Sequence, residues 1–213
     1  MKKYISIISV CCLFPISIAL AADQYLERAD KAFEEGRFVE AIKHYSDALE
    51  FSELSAVDRA EVFRAKGLTF GRLQEDEKAV EAYRNAVALD PKNVAAISSL
   101  CFQYSRAEVL EKALSACNRA LKIDPDHAPT INIRADIWKK KNEHDRAEAD
   151  FLRSVELDPD NWAIKFNLAN FYDDIGRNAA AKHYYERAFA AAPTWAHNHP
   201  LTQKSFKKYG LIK

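Results

Sequence analysis

Residues 94–127 read VAAISSLCFQYSRAEVLEKALSACNRALKIDPDH, and residues 128–161 read APTINIRADIWKKKNEHDRAEADFLRSVELDPDN. They are one 34-residue pattern written twice without a gap. Overlaid, Cys101 falls on Ala135, Tyr104 on Trp138, Ala113 on Ala147, Cys117 on Phe151, and Asp124-Pro125 on Asp158-Pro159. A fixed period of this length is the signature of a stacked solenoid, in which each unit buries its apolar face against its neighbours.

Carried outward, the 34-residue frame gives five copies: 22–55, 60–93, 94–127, 128–161 and 162–195. Each reads as two helices joined by a short turn, as at Gly36 and Gly176. All but the first close on proline, at Pro91, Pro125, Pro159 and Pro193. Proline donates no backbone hydrogen bond and clashes with the preceding turn, so it stops the second helix. Asn93 and Asn161 follow two residues later, placed to cap the next helix through the side-chain oxygen. Small residues recur at three positions. The eighth reads Ala29, Gly67, Cys101, Ala135 and Ala169. The twentieth reads Ala41, Ala79, Ala113, Ala147 and Ala181, and the twenty-seventh Ala48, Ala86, Ala120, Ser154 and Ala188. Rings fill the eleventh position (Phe70, Tyr104, Trp138, Tyr172) and the twenty-fourth (Tyr45, Tyr83, Phe151, Tyr185). Alternating small and large partners lets close helices interlock at interior density.

These residues, with the closing proline, resemble the tetratricopeptide repeat family over 22–195. The resemblance implies an all-α, right-handed superhelical solenoid of five helix pairs, whose concave face is lined mostly by first helices. It implies a role in holding other proteins together, and no chemistry. Two departures stand out. The first copy has Glu53 in place of proline and is followed by four extra residues, 56–59. Ser55 with Asp58 resembles a capping box, which would make the insertion one added turn on the next helix. Cys117 stands where the other copies place a ring. Beyond Trp195 the pattern stops; Pro200–Tyr209 reads as a capping helix within 196–213, with a mobile basic tail as the competing reading.

The first 21 residues stand apart from the repeats. Lys2 and Lys3 precede an uncharged run, Tyr4–Leu20, and Ala19-Leu20-Ala21 supplies small residues before Asp23. That is the layout of a secretory signal peptide, and it points to an exported, periplasmic chain beginning at Ala22. An uncut anchor facing the periplasm from the inner membrane is the alternative. Lys+Arg and Asp+Glu are both 31, a balance that gives no reason to expect nucleic acid or an anionic membrane as partner. Hydrophobic residues at 48% and charged residues at 29% are ordinary for a globular chain, and only 5 Gly and 7 Pro leave room for long helices.

Leader removal would leave two cysteines, Cys101 and Cys117. They occupy the eighth and twenty-fourth positions of one repeat, at similar heights on facing helices. A bridge there would close a loop of about 15 residues and contribute about 3 kcal/mol. Two inert buried thiols are the plainer reading. The six histidines form no metal-ligating pair, and no phosphate loop or nucleophile elbow is present, so neither cofactor, metal nor enzyme is expected.

The resemblance places the candidate site on the concave face, at Arg64, Leu68, Phe102, Asn132, Asp136, Phe166, Asn167 and Asn170. The amides would bond the backbone of an extended peptide, and the rings would grip its side chains. The family's carboxylate clamp is absent, because Leu26 and Asp30, or Ser98 and Phe102, stand where its Lys and Asn would be. The expected function is a scaffold of the cell envelope that binds a protein or peptide. A membrane-tethered assembly factor for secretion, pilus or envelope complexes is the second reading, and an enzyme built on a solenoid the third.

Overall fold

The computed structural model describes residues 14–212, with side chains from residue 22 onward. The expected leader, residues 1–21, therefore lies outside the residues whose side chains are described. Five helix pairs follow one another: α1 (Phe14–Glu34) and α2 (Phe38–Leu49), α3 (Ala56–Arg72) and α4 (Asp76–Leu89), α5 (Val94–Arg106) and α6 (Leu110–Ile123), α7 (Ala128–Lys140) and α8 (His144–Leu157), α9 (Trp162–Asp174) and α10 (Asn178–Ala191). Two short helices close the chain, α11 (Thr194–His197) and α12 (Pro200–Lys208). No strand occurs among the described residues. The chain divides into two compact units, 1–103 and 104–213. In the first, α1 packs on α2, α2 on α3, and α3 on α4. In the second, α6 packs on α7, α7 on α8, α8 on α9, α9 on α10, and α12 closes on α10.

The small residues do what their spacing predicts. All five alanines at the twentieth position are 0 % exposed, and so are the four alanines and Ser154 at the twenty-seventh. Gly67 meets the constraint most tightly. A Cβ built there would lie 2.7 Å from the Tyr83 ring, so only glycine lets the ring pack directly on the α3 backbone. In the second unit the core runs through Phe151, Phe171, Tyr185 and Phe206. Buried Asp150 on α8 is held by a two-pronged Arg134 guanidinium from α7, at 2.7 and 2.9 Å. The same guanidinium donates to Asn118 Oδ1 of α6 at 3.0 Å. A charge so buried is tolerable only because both oxygens are paired.

The rings at the eleventh position are only partly buried in three copies, and their outer faces carry cations. Lys78 lies over Phe70, Lys112 over Tyr104, Arg146 over Trp138 and Arg177 over Tyr172, at 4.9 to 6.0 Å from the ring centres. Each cation comes from the start of its own second helix, or the turn before it, and adds about 0.5–1 kcal/mol at an exposed ring.

Helix starts follow the expected caps. Asn93 Oδ1 accepts from Ala96 N at 2.9 Å, and Asn161 Oδ1 from Ala163 N and Ile164 N at 3.1 and 3.3 Å. Ser55 accepts from Asp58 N at 3.1 Å, and the inserted residues 56–59 form the first turn of α3. The turn inside each pair follows one rule that the sequence does not advertise. The fifteenth position is left-handed in every copy, at Gly36, Gln74, Glu108, Asn142 and Gly176. The next residue then donates back to the eleventh, as Glu75 N does to Phe70 O and Glu143 N to Trp138 O.

That rule revises the C-terminus. Gly210 is left-handed, and Leu211 N donates to Phe206 O at 2.9 Å. Counting 34 residues back from Gly210 lands on Gly176, so α12 and its turn continue the frame as the first half of a sixth repeat. The pattern therefore does not stop at Trp195. It loses its small residue at the eighth position, where Gln203 stands, and this hides it. Thr202 and Phe206 are buried and Tyr209 half-buried, which gives the cap its apolar inner side.

Candidate functional site

The outward residues of the first helices differ between the two units. In the first unit, Leu68 on α3 is 39 % exposed and Phe102 on α5 is 49 % exposed. Both stand at the ninth position of consecutive copies, where burial would be the rule for side chains this apolar. Arg64 is not a free cation. Its Nε donates to Glu61 Oε2 at 2.7 Å, Glu61 Oε1 accepts from Asn93 Nδ2 at 2.5 Å, and Asn93 in turn caps α5. Burial pushes the Glu61 carboxyl up, but the Asn93 and Arg64 hydrogen bonds outweigh it and hold the group below its ordinary range. Glu61 and Asn93 were not among the expected site residues. Asn93 was legible as a cap, but its second bond depends on a partner 32 residues away.

In the second unit, Asn167 Nδ2 on α9 donates to Asn132 Oδ1 on α7 at 3.4 Å, so these two expected residues are brought together. Asn170 Oδ1 accepts from the Tyr185 hydroxyl at 2.6 Å, which leaves its amide NH2 for an occupant. Burial pushes the Tyr185 hydroxyl up to about 12, so it remains a donor at any physiological pH. Asp136 is paired with Lys140 at 3.2 Å and Lys139 at 3.7 Å.

Phe166 corrects the sequence reading. It is 8 % exposed and sits edge-on to Tyr185 at 5.4 Å and Phe206 at 5.6 Å. The cap helix covers it, so it is a core ring and grips nothing from outside. The cap is pinned there by Asp173 of α9, which accepts from Lys208 Nζ at 2.5 Å and Tyr209 Oη at 2.6 Å. Two of the histidines, which form no metal-ligating pair, have local roles. His127 and His199 accept helix-capping bonds from Thr130 N and Leu201 N, at 3.4 and 3.3 Å.

Cys101 and Cys117 are each 0 % exposed and each disulfide-bonded. No group of three or more His, Cys, Asp or Glu among the described residues is arranged to hold a metal. No helix among them is long and apolar enough to cross a membrane. Three open recesses among the described residues lie at the turns inside helix pairs. One, of about 540 Å³, is lined by Arg37, Phe38, Val39 and Leu73 in the first unit.

Consecutive helix pairs, each with a left-handed residue in its turn, define a helical-repeat protein. A profile described as "Tetratricopeptide repeat" matches residues 60–93, 128–161 and 163–194, and the chain belongs to the tetratricopeptide-repeat family. Proteins of this family generally bind other proteins or peptides. Among solved structures, a thermophilic tetratricopeptide-repeat protein of Thermus thermophilus superposes with a TM-score of 0.73 at 23% identity, covering 90% of this chain and 100% of that one. PilF of Pseudomonas aeruginosa superposes at 0.70 and 18% identity, covering 92% and 91%. YrrB, described as having an unusual peptide-binding site, superposes at 0.57 and 17% identity, covering 89% and 97%. At such identities the likeness concerns the fold. The photosystem I assembly protein Ycf3 of Synechococcus is 28% identical over 96 residues, which are 44% of this chain. The chain spans about half the length of that curated relative, 54%.

Proposed function

We propose that this chain is a non-enzymatic scaffold of the cell envelope that holds a peptide segment or partner protein against its first helices. The observation that carries the reading is the exposed pair Leu68 and Phe102, repeated at one position of successive copies. Exposed large apolar groups in register suit an extended or helical segment that offers apolar side chains at matching intervals. In the second unit, the Asn132–Asn167 pair and the free amide NH2 of Asn170 suit the backbone of such a segment, which brings both donors and acceptors. Peptide binding by YrrB supports the idea that this fold can do so.

The test is crosslinking and recovery of partners from the native host. Wild type would be compared with Leu68→Ser/Phe102→Ser and with Asn132→Ala/Asn167→Ala. Removing an apolar anchor pair should cost at least tenfold in recovery, because binding energy concentrates in few contacts. A partner set unchanged by both variants would remove the assignment.

An exported setting is part of the same reading. The leader-like layout of residues 1–21 supports it, and so does the disulfide-bonded state of Cys101 and Cys117, since such bonds persist in oxidising compartments.

A further inference from the structure

The overall charge balance hides a local imbalance. Residues 187–213 contain Arg187, Lys204, Lys207, Lys208 and Lys213, and no Asp or Glu. Among the described residues, Asp173 is the acid that reaches α12, and it is engaged by Lys208 and Tyr209. Lys204 and Lys207 are exposed. The inner side of α12 is Thr202, Phe206 and Tyr209, so helical spacing puts Pro200, Leu201, Lys204 and Lys207 on the outer side. Leu201 there is 78 % exposed. Trp195, in the helix before it, is 63 % exposed and edge-on to Trp162 at 5.8 Å and to His199 at 5.9 Å. His199 joins the two by accepting from Leu201 N.

We propose that this end of the chain, with Trp195 and Leu201 as wedges and Lys204 and Lys207 as charges, docks peripherally on an anionic lipid surface. A tryptophan edge and a leucine suit the boundary between headgroups and acyl chains, where one part of the ring is apolar and the other wet. Lysines whose stems run along an apolar patch keep their ammonium groups among the phosphates. An acidic protein would satisfy the lysines, but it would also need an apolar pocket shaped to Trp195 and Leu201, whereas a headgroup boundary takes both without a matched shape. Each lysine near an anionic surface is worth about fivefold in partitioning.

Co-sedimentation of the full chain with vesicles tests this, using phosphatidylcholine alone and phosphatidylcholine mixed with phosphatidylglycerol. Wild type should bind the mixed vesicles more strongly, and raised salt should weaken that binding. Lys204→Gln/Lys207→Gln should lower the partition coefficient at least tenfold, and Trp195→Ser/Leu201→Ser should lower it with unchanged helical circular dichroism. All four residues are exposed, and unchanged circular dichroism of both variants checks that the fold is retained. Binding through any other part of the chain, residues 1–21 included, would ignore these substitutions, and equal binding by all three proteins would overturn the proposal. Soluble polyglutamate provides the last arm. Capture that needs the lysines, without their dependence in the vesicle assay, would assign the patch to an acidic protein and overturn the lipid reading.

Discussion

Gln74, Glu108 and Asn142 hold a left-handed backbone that glycine holds in the sister turns. A Cβ in that conformation crowds the following carbonyl and costs about 1–2 kcal/mol, while glycine gives back part of the gain in unfolded-chain entropy. Gln74→Gly should therefore raise stability by about 0.5–1 kcal/mol, seen as a higher urea midpoint. An unchanged or lower midpoint would mean that the Gln74 side chain earns its place by a contact. This turn rule was hard to read in advance. Gly, Gln, Glu and Asn share no property that a pattern search rewards, whereas alanine at the twentieth position recurs in all five copies. Phe166 failed as a site residue for a related reason. Its place on the first helix is legible, but its burial depends on α12, which lies beyond the last copy that the small residues mark.

At the level of elements, α12 is the informative case. It is short, and an isolated helix of its length would not persist in water. Phe206 seats it in the aromatic core, and Asp173 ties down its far end. Burial pushes the Asp173 carboxyl up, but Lys208 and Tyr209 outweigh that and leave it below its ordinary range. A carboxyl depressed in the folded state lends stability above its unfolded value and loses it as pH falls through the folded one. The cap should therefore loosen below about pH 4. Lys208 is half exposed, so solvent screening keeps the contribution small, and Asp173→Asn should cost about 0.5–1 kcal/mol. Hydrogen exchange across 200–212 should accelerate in that variant at neutral pH. Wild-type protection there would show that the buried side, Thr202 and Phe206, holds the helix without Asp173.

For the molecule as a whole, architecture was legible because every structural position was written five times, so one aberrant residue was outvoted. The site was far less legible, because exposure and pairing are settled between copies. Arg64 reads as a groove cation until Glu61 and Asn93 are seen to hold it. The charge total misled in the same way, since 31 against 31 averages a mixed body with an acid-free end. The exported reading is a whole-chain property and has a whole-chain test. Protein recovered from its native host should begin at Ala22 and show no titratable thiol under denaturing, non-reducing conditions. An N-terminus at Met1, or two free thiols per chain, would contradict it.

The touching amides of Asn132 and Asn167 carry one more implication. Their single bond, 3.4 Å long, spends one donor and one acceptor and leaves the Asn132 NH2 and the Asn167 carbonyl to face outward as a ready-made complement. A visitor arriving at α7 and α9 meets a donor and an acceptor at a fixed separation. Selection there would rest on the spacing of its own polar groups, so that a chain offering only one of the two would gain little over water.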